Sequence, residues 1–455
     1  MKIDLKNAKK LQKLYGWGTS ACWWSQYCES PRVQDEIVNL LYGDEGLKLN
    51  IYRYNIGGGT DSGNCRVNNP WRRTESFMLY DRENEETRWD FSLDKNAVEV
   101  MKKSLATGNV DTLILFCNSP HYSQTSTGQA SGSLLPHTCN IPKMNYRKFA
   151  DYVLTVARHF IDMGMPVKYI SPINEPQWKW GGTDVWQEGC HYEITELCEI
   201  YHIFAEEILK RNMAVKLYGP ESGAMLEFTE DYINALCKDE LVMSVMPVFA
   251  YHSYHSDSKP EERYEFKKKI VDPHPQFRFD MSEWCELPNK SHTKKFKGAL
   301  ITARIIGQDL IYAGAESWTS WVAVNQTVLD ENGNDFSDAM LSANNDFSNW
   351  YIAMRYYGVA HFTKYIPVNS VALDINLHPT NDNNDLNAFA FETPTGERVI
   401  VAVNEGEDTT LEISGDYSNM KIIKSSQNRQ LEESLCPFTP KIELEENSIL
   451  TLVLS

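Results

Sequence analysis

Nothing in this chain is basic enough to hold a nucleic acid, and nothing is apolar for long enough to cross a membrane. Lysine and arginine number 44 against 62 aspartates and glutamates, for a net charge of −18, and basic clusters are confined to Lys267–Lys269 and Lys294–Lys297. A phosphate backbone needs a basic face, so no nucleic-acid partner is expected. No run reaches the length of a bilayer-spanning helix, so no membrane span is expected. The N-terminal "MKIDLKNAKKLQKLYG" has no apolar signal-like core. That favours a cytoplasmic protein, with a secreted one whose signal has been removed as the alternative. The ten cysteines form no CxxC pair and no zinc-ligand spacing, so reduced thiols are expected rather than a disulfide framework or a metal centre. The glycines of "IGGGTDSGN" lack the lysine and Ser/Thr of a phosphate-binding loop. They read as a tight turn that leaves Asp61 near a ligand. No cofactor is expected.

Aromatic residues, by contrast, are abundant, with 12 tryptophans and 23 tyrosines. Rings with an apolar face and a polar tip suit sugars and other half-polar ligands. Eight short β-rich runs recur: residues 14–20, 49–57, 112–120, 167–176, 215–222, 248–255, 277–284 and 315–324. Segments of helical period separate them, for example "YRKFADYVLTVARHFIDMG", and the last, "NWYIAMRYYGVAHF", follows the eighth run. The fifth and sixth helices carry the weakest pattern. Eight alternations predict an α/β chain folded as a (β/α)8 TIM barrel over residues 11–358. From residue 359 to 455 the pattern switches to period two, as in "VIVAVN". This predicts an appended antiparallel β-sandwich, completed by residues 1–10.

In such barrels chemistry sits at the C-terminal strand ends. "SPINEP" ends the fourth run on Glu175, and "FDMSEW" ends the seventh with Glu283. Two carboxyls facing one pocket are what glycoside hydrolysis needs. Pro176 disfavours a helical backbone at Glu175 and predicts an extended one. Asn174 is positioned beside it to bond a sugar hydroxyl.

Together "SPINEPQW", "QEGCHYE", "MSEW", "GWGTSACWW" and "SWTSW" resemble glycoside hydrolase family 30, over nearly the whole chain. The resemblance implies a retaining β-glycosidase with Glu175 as acid/base and an anionic Glu283 as nucleophile. It implies substrate contacts from Arg53, Asn118, His252 and Tyr254, with Tyr254 bonded to the nucleophile. Trp321 would form an aromatic floor, Trp24 rather than Trp23 would touch the ligand, and Trp178 would stack on the leaving-group side. Trp318, three residues before Trp321, reads as packing. His252 and His255 fall on opposite strand faces, which argues against a metal pair. The branch most similar acts on β-1,6-galactan, with β-glucosidase, β-1,6-glucanase and glucosylceramidase activities as alternatives. The loop after the third run, "NSPHYSQTSTGQASGS", departs from that branch and leaves exo against endo action open. A carbohydrate-binding protein without catalysis is the rival from another class.

Overall fold

The computed structural model describes residues 1–60, 65–287, 291–377 and 385–455. The eight runs form one nine-membered parallel sheet, because the fifth is broken into Lys216–Leu217 and Pro220–Ser222. From Pro220–Ser222 the order is Val248–His252, Arg278–Trp284, Ser317–Ser320, Gly16–Ser20, Ile51–Asn55, Thr112–Phe116, Val167–Ser171 and Lys216–Leu217. Both end members are halves of one strand, so the sheet curls until it meets itself in a TIM-barrel-like arrangement. Strands such as Thr112–Phe116 and Val248–His252 are buried along their whole length, as parallel strands covered by helices must be.

The helices that cover the sheet follow from their stripes. Tyr146–Asp162 buries Phe149, Val153, Val156 and Phe160 at helical spacing. Ile194–Lys210 opens on a reciprocal capping box between Glu193 and Glu196. The weakly patterned fifth and sixth helical regions are short pieces, Thr229–Leu236, Glu240–Val245 and Pro260–Phe266. One expected helix begins late: Trp350–Ile352 is a strand antiparallel to Leu341–Ala343, and the helix spans Met354–Thr363. Aromatic and β-branched residues there prefer a pleated surface, and Ala353 turns the chain in an extended conformation before the helix begins.

The inside of the curled sheet explains where charge can sit. A small apolar cluster joins Ile51, Ile114, Tyr169, Tyr218, Val248 and Ala250. Side chains two residues apart on a strand share a face. Two residues beyond Ile51, Tyr169 and Ala250 stand Arg53, Ser171 and His252, all buried. The apolar plug therefore gives way to polar groups towards the C-terminal strand ends.

The chain's last hundred residues form two further sheets with its start. One is seven-stranded and antiparallel and takes in Lys9–Lys13 beside Val371–Asp374; the other joins Lys2–Asp4, Thr409–Ser414 and Lys441–Leu444. Both feed one apolar cluster, with Ile3, Leu411 and Ile442 from the small sheet and Ala390, Ile400 and Leu452 from the large one. Among the described residues no helix is long and apolar enough to cross a membrane. All ten cysteines are free thiols.

Candidate active site

Arg53, in the middle of the second strand (Ile51–Asn55) and fully buried, organises the centre. It donates from Nη1 to Glu283 Oε2 at 2.8 Å and from Nη2 to Asn174 Oδ1 at 3.0 Å. Its Nη2 is also 3.3 Å from Glu221 Oε1, and its guanidinium lies 3.6 Å over the Phe116 ring. Arg53, expected both to bind substrate and to balance the carboxylates, is bonded to carboxylates here, and the amide oxygen of Asn174, expected to bind substrate, accepts from it.

His252 is the second cation. It bridges Glu175 Oε1 at 3.1 Å and Glu221 Oε2 at 3.2 Å, and stands 3.6 Å from Glu283 Oε1. Burial opposes its charge, but Glu283, Glu175 and Glu221 around it outweigh burial and raise its pKa to about 10. His252 is thus an imidazolium at neutral pH, fully buried, and holds carboxylates rather than sugar.

Glu221 was missed in the sequence. It ends the fifth strand, and although burial would raise it, Arg53 and the bonds from His252 and Ser282 hold it at about 2. Ser171 Oγ donates to it at 2.9 Å. Its signal was legible, since "GPES" puts a glutamate after proline at a strand end, as "PINEP" puts one before. Both residues have left-handed backbones, φ 47° at Glu175 and 57° at Glu221, and Glu175 N donates to Glu221 O at 2.9 Å. The expected extended backbone at Glu175 is therefore corrected. Tertiary contacts hold a conformation costing about 1–3 kcal/mol per residue. Gly223 sits directly behind: a Cβ there would lie 2.8 Å from Glu175 Oε1 and 2.3 Å from Trp178 Nε1.

Glu283 receives Tyr254 Oη on Oε1 at 3.1 Å, so each of its oxygens has a donor. Burial raises its pKa most; His252 and Arg53 pull it down, Glu175 and Glu221 push it up, and it settles at about 7. The expectation of a plainly anionic Glu283 thus meets opposition from burial. Three carboxyls, of Glu175, Glu221 and Glu283, stand here against the two cations of Arg53 and His252. Glu175, His252 and Glu283 place donor atoms within 4.8 Å of one another. A protonated imidazole has no lone pair for a metal ion, so this set fits a proton better than a cation.

Glu175 and Glu283 open together into a cavity of about 540 Å³, with Trp178, Trp180, Tyr254 and Trp321 in its wall. That volume is of ligand size. Trp321 packs edge-on against Trp23 at 5.3 Å, and Arg72 lies 5.0 Å over the Trp23 ring. Trp24, the favoured ligand contact, is fully buried in the core; the tryptophan that meets the floor is Trp23. Trp178 is half-buried, edge-on to His255 at 5.7 Å, and Trp180 Nε1 donates to Glu175 O at 2.8 Å. Trp318 packs near Trp284 and donates to Asp309. Asn118 is buried away from the cavity wall; its Nδ2 is 3.4 Å from Asn55 Oδ1, and its Oδ1 has no partner. Asp61 lies outside the described residues. The neighbouring glycine turn holds an internal anion: Gly58 N and Thr60 Oγ1 donate to buried Glu188 at 2.9 and 2.8 Å.

Residues 1–339 match the profile of O-glycosyl hydrolase family 30. The chain belongs to that family. This family 30 protein is 24% identical over 220 residues to an endo-β-1,6-galactanase from Hypocrea rufa, across 44% of each chain. It is 22% identical over 223 residues to an exo-β-1,6-galactobiohydrolase from Bifidobacterium longum, across 37% of this chain and 14% of the other. It spans less than half the length of either relative. A conserved exported protein from Bacteroides fragilis shares the fold with a TM-score of 0.83, at 22% identity over 99% of both chains.

Proposed function

We propose that this family 30 protein hydrolyses β-linked galactan, with β-1,6 linkages favoured, by double displacement with retention. The observation that carries the reading is one distance: oxygens of Glu175 and Glu283 lie within 4.8 Å, on the floor of an open aromatic cavity. Retention calls for carboxyls about 5–5.5 Å apart, and inversion for roughly 6.5–9.5 Å. The galactan preference leans on the names of the two relatives above. The same reading takes the curled sheet as a closed (β/α)8 barrel and the two terminal sheets as its β-sandwich.

In this mechanism Glu175 passes its proton to the glycosidic oxygen while Glu283 attacks the anomeric carbon. The glycosidic bond breaks, a glycosyl ester forms, and the alcohol leaves. Esterification removes the charge on Glu283, so ionised Glu175 next takes a proton from water as the water attacks. The ester breaks, and Arg53 and Tyr254 receive the returning carboxylate in bonds already aimed at it. His252 and Glu221 stay charged throughout and fix the directions of both carboxyls.

The test is Glu283→Ala with a dinitrophenyl β-glycoside and added azide. The expected product is the glycosyl azide of inverted configuration; a retained azide would name another nucleophile. Wild-type digestion of β-1,6-galactan beside β-1,6-glucan, xylan and glucosylceramide tests the sugar.

A further inference from the structure

Eleven of the twelve tryptophans are buried or half-buried; Trp186 is 67% exposed. It stands on the wall of the catalytic cavity, on the same loop as Glu175. Its neighbours are anything but loose. Val185 bridges to Val67 and its carbonyl accepts Asn68 N at 3.0 Å. Two residues on, the Glu188 carboxylate is gripped by Gly58 and Thr60. Gly182 N donates to Ser133 O at 2.8 Å. Trp186 is therefore held on a fastened backbone with its indole in water, and among the described residues no ring packs on it. An exposed indole adds nothing to the core, and a fixed one needs little ordering when a ligand arrives.

The position of Trp186 gives the ligand. On this loop Glu175 is 8% exposed, Trp178 is half-buried and Trp186 is 67% exposed, although Val185 beside it is buried. In the mechanism above, Glu175 protonates the departing oxygen, so the wall on its own loop faces the leaving group. We propose that Trp186 is a stacking platform for a sugar ring on the leaving-group side, beyond the unit that touches Trp178. Leu287, 52% exposed on the same cavity, offers a second apolar surface. The preferred substrate is then a chain that continues past the cleaved bond by at least two units.

This inference rests on the assignment of Glu175 as acid, and its test separates the two. Wild type, Trp186→Ala and Trp186→Phe are compared on a nitrophenyl β-glycoside and on a tetrasaccharide of whichever β-glycan the wild type digests. The expected result is a kcat/KM on the tetrasaccharide that falls about tenfold further than on the nitrophenyl glycoside in Trp186→Ala. Trp186→Phe should restore most of that loss. Equal losses on both substrates, or none on the tetrasaccharide, overturn the platform. Loss of the acid role would show elsewhere, as a Glu175→Gln enzyme that still cleaves the unactivated tetrasaccharide.

Discussion

Two of the buried charge clusters in this protein are built differently. Behind the sheet, Arg263 Nε donates to Asp309 Oδ1 at 2.8 Å, both side chains wholly buried, while Ser253 and Trp318 donate to Asp309 Oδ2 at 2.9 and 3.1 Å. One cation meets one anion. At the strand ends, Arg53 and His252 meet Glu175, Glu221 and Glu283, and the cluster opens to the cavity. A matched pair has no reason to exchange a proton. The unmatched set includes Glu283, which burial raises to about 7, where a substrate can reach it.

The largest expected effect comes from breaking each cluster at its anion. Glu283→Ala should lower turnover on the order of 10⁴-fold or more, with the melting temperature little changed. Asp309→Ala strands the Arg263 charge in the interior, which costs about 3–5 kcal/mol, while enzyme that remains folded keeps near-normal kcat. Calorimetry and steady-state rates on the two variants check this. If both variants lost stability alike, the distinction between the clusters would fail.

That distinction was half visible in the sequence. Glu175 and Glu283 could be found because eight strand–helix alternations fix where strand ends converge. The parallel sheet and the antiparallel tail were legible in the hydrophobic period. Glu221 was passed over although the fifth run ended on "GPES", because that strand is two fragments of two and three residues and its pattern did not set this glutamate apart from a structural one. Arg53 was named both as a sugar ligand and as a balance to the carboxylates, and His252 as a sugar ligand; geometry adds that both ring nitrogens of His252 already face carboxylates. The backbone of Glu175 went the other way from the rule for residues before proline, because the bond to Glu221 and the absent side chain at Gly223 permit it. A local preference of about 1 kcal/mol yields to a packed site.

The charge count can be sharpened by removing one member of each sign. Glu283 must be ionised to attack, so activity should rise as pH rises through about 7, where Glu283 gives up its proton. His252→Gln removes a positive charge 3.6 Å from Glu283. The anion then becomes harder to form, and the acid limb of kcat/KM should move up by about 1–3 pH units. Glu221→Gln removes a negative charge and should move the same limb down. Both variants lose orientation and should turn over about 10- to 100-fold more slowly. Shifts of the same sign in the two pH profiles would show that the limb does not belong to this cluster.

The smallest effect separates two adjacent tryptophans. Trp23 touches the cavity floor through Trp321 and carries Arg72 on its ring; Trp24 touches only core. Trp23→Phe shortens the ring that supports Trp321, so the floor shifts, and KM should rise a few-fold with kcat falling less. Trp24→Phe leaves a small cavity instead, costing about 1–2 kcal/mol of stability with kinetic constants near wild type. Chemical denaturation and saturation curves read the two apart. The direction of either side chain cannot be had from strand alternation, because the first strand ends at Ser20 and a short helix begins at Trp24. Where the chain leaves one period before entering another, neighbouring residues of the same type are told apart by what packs on them.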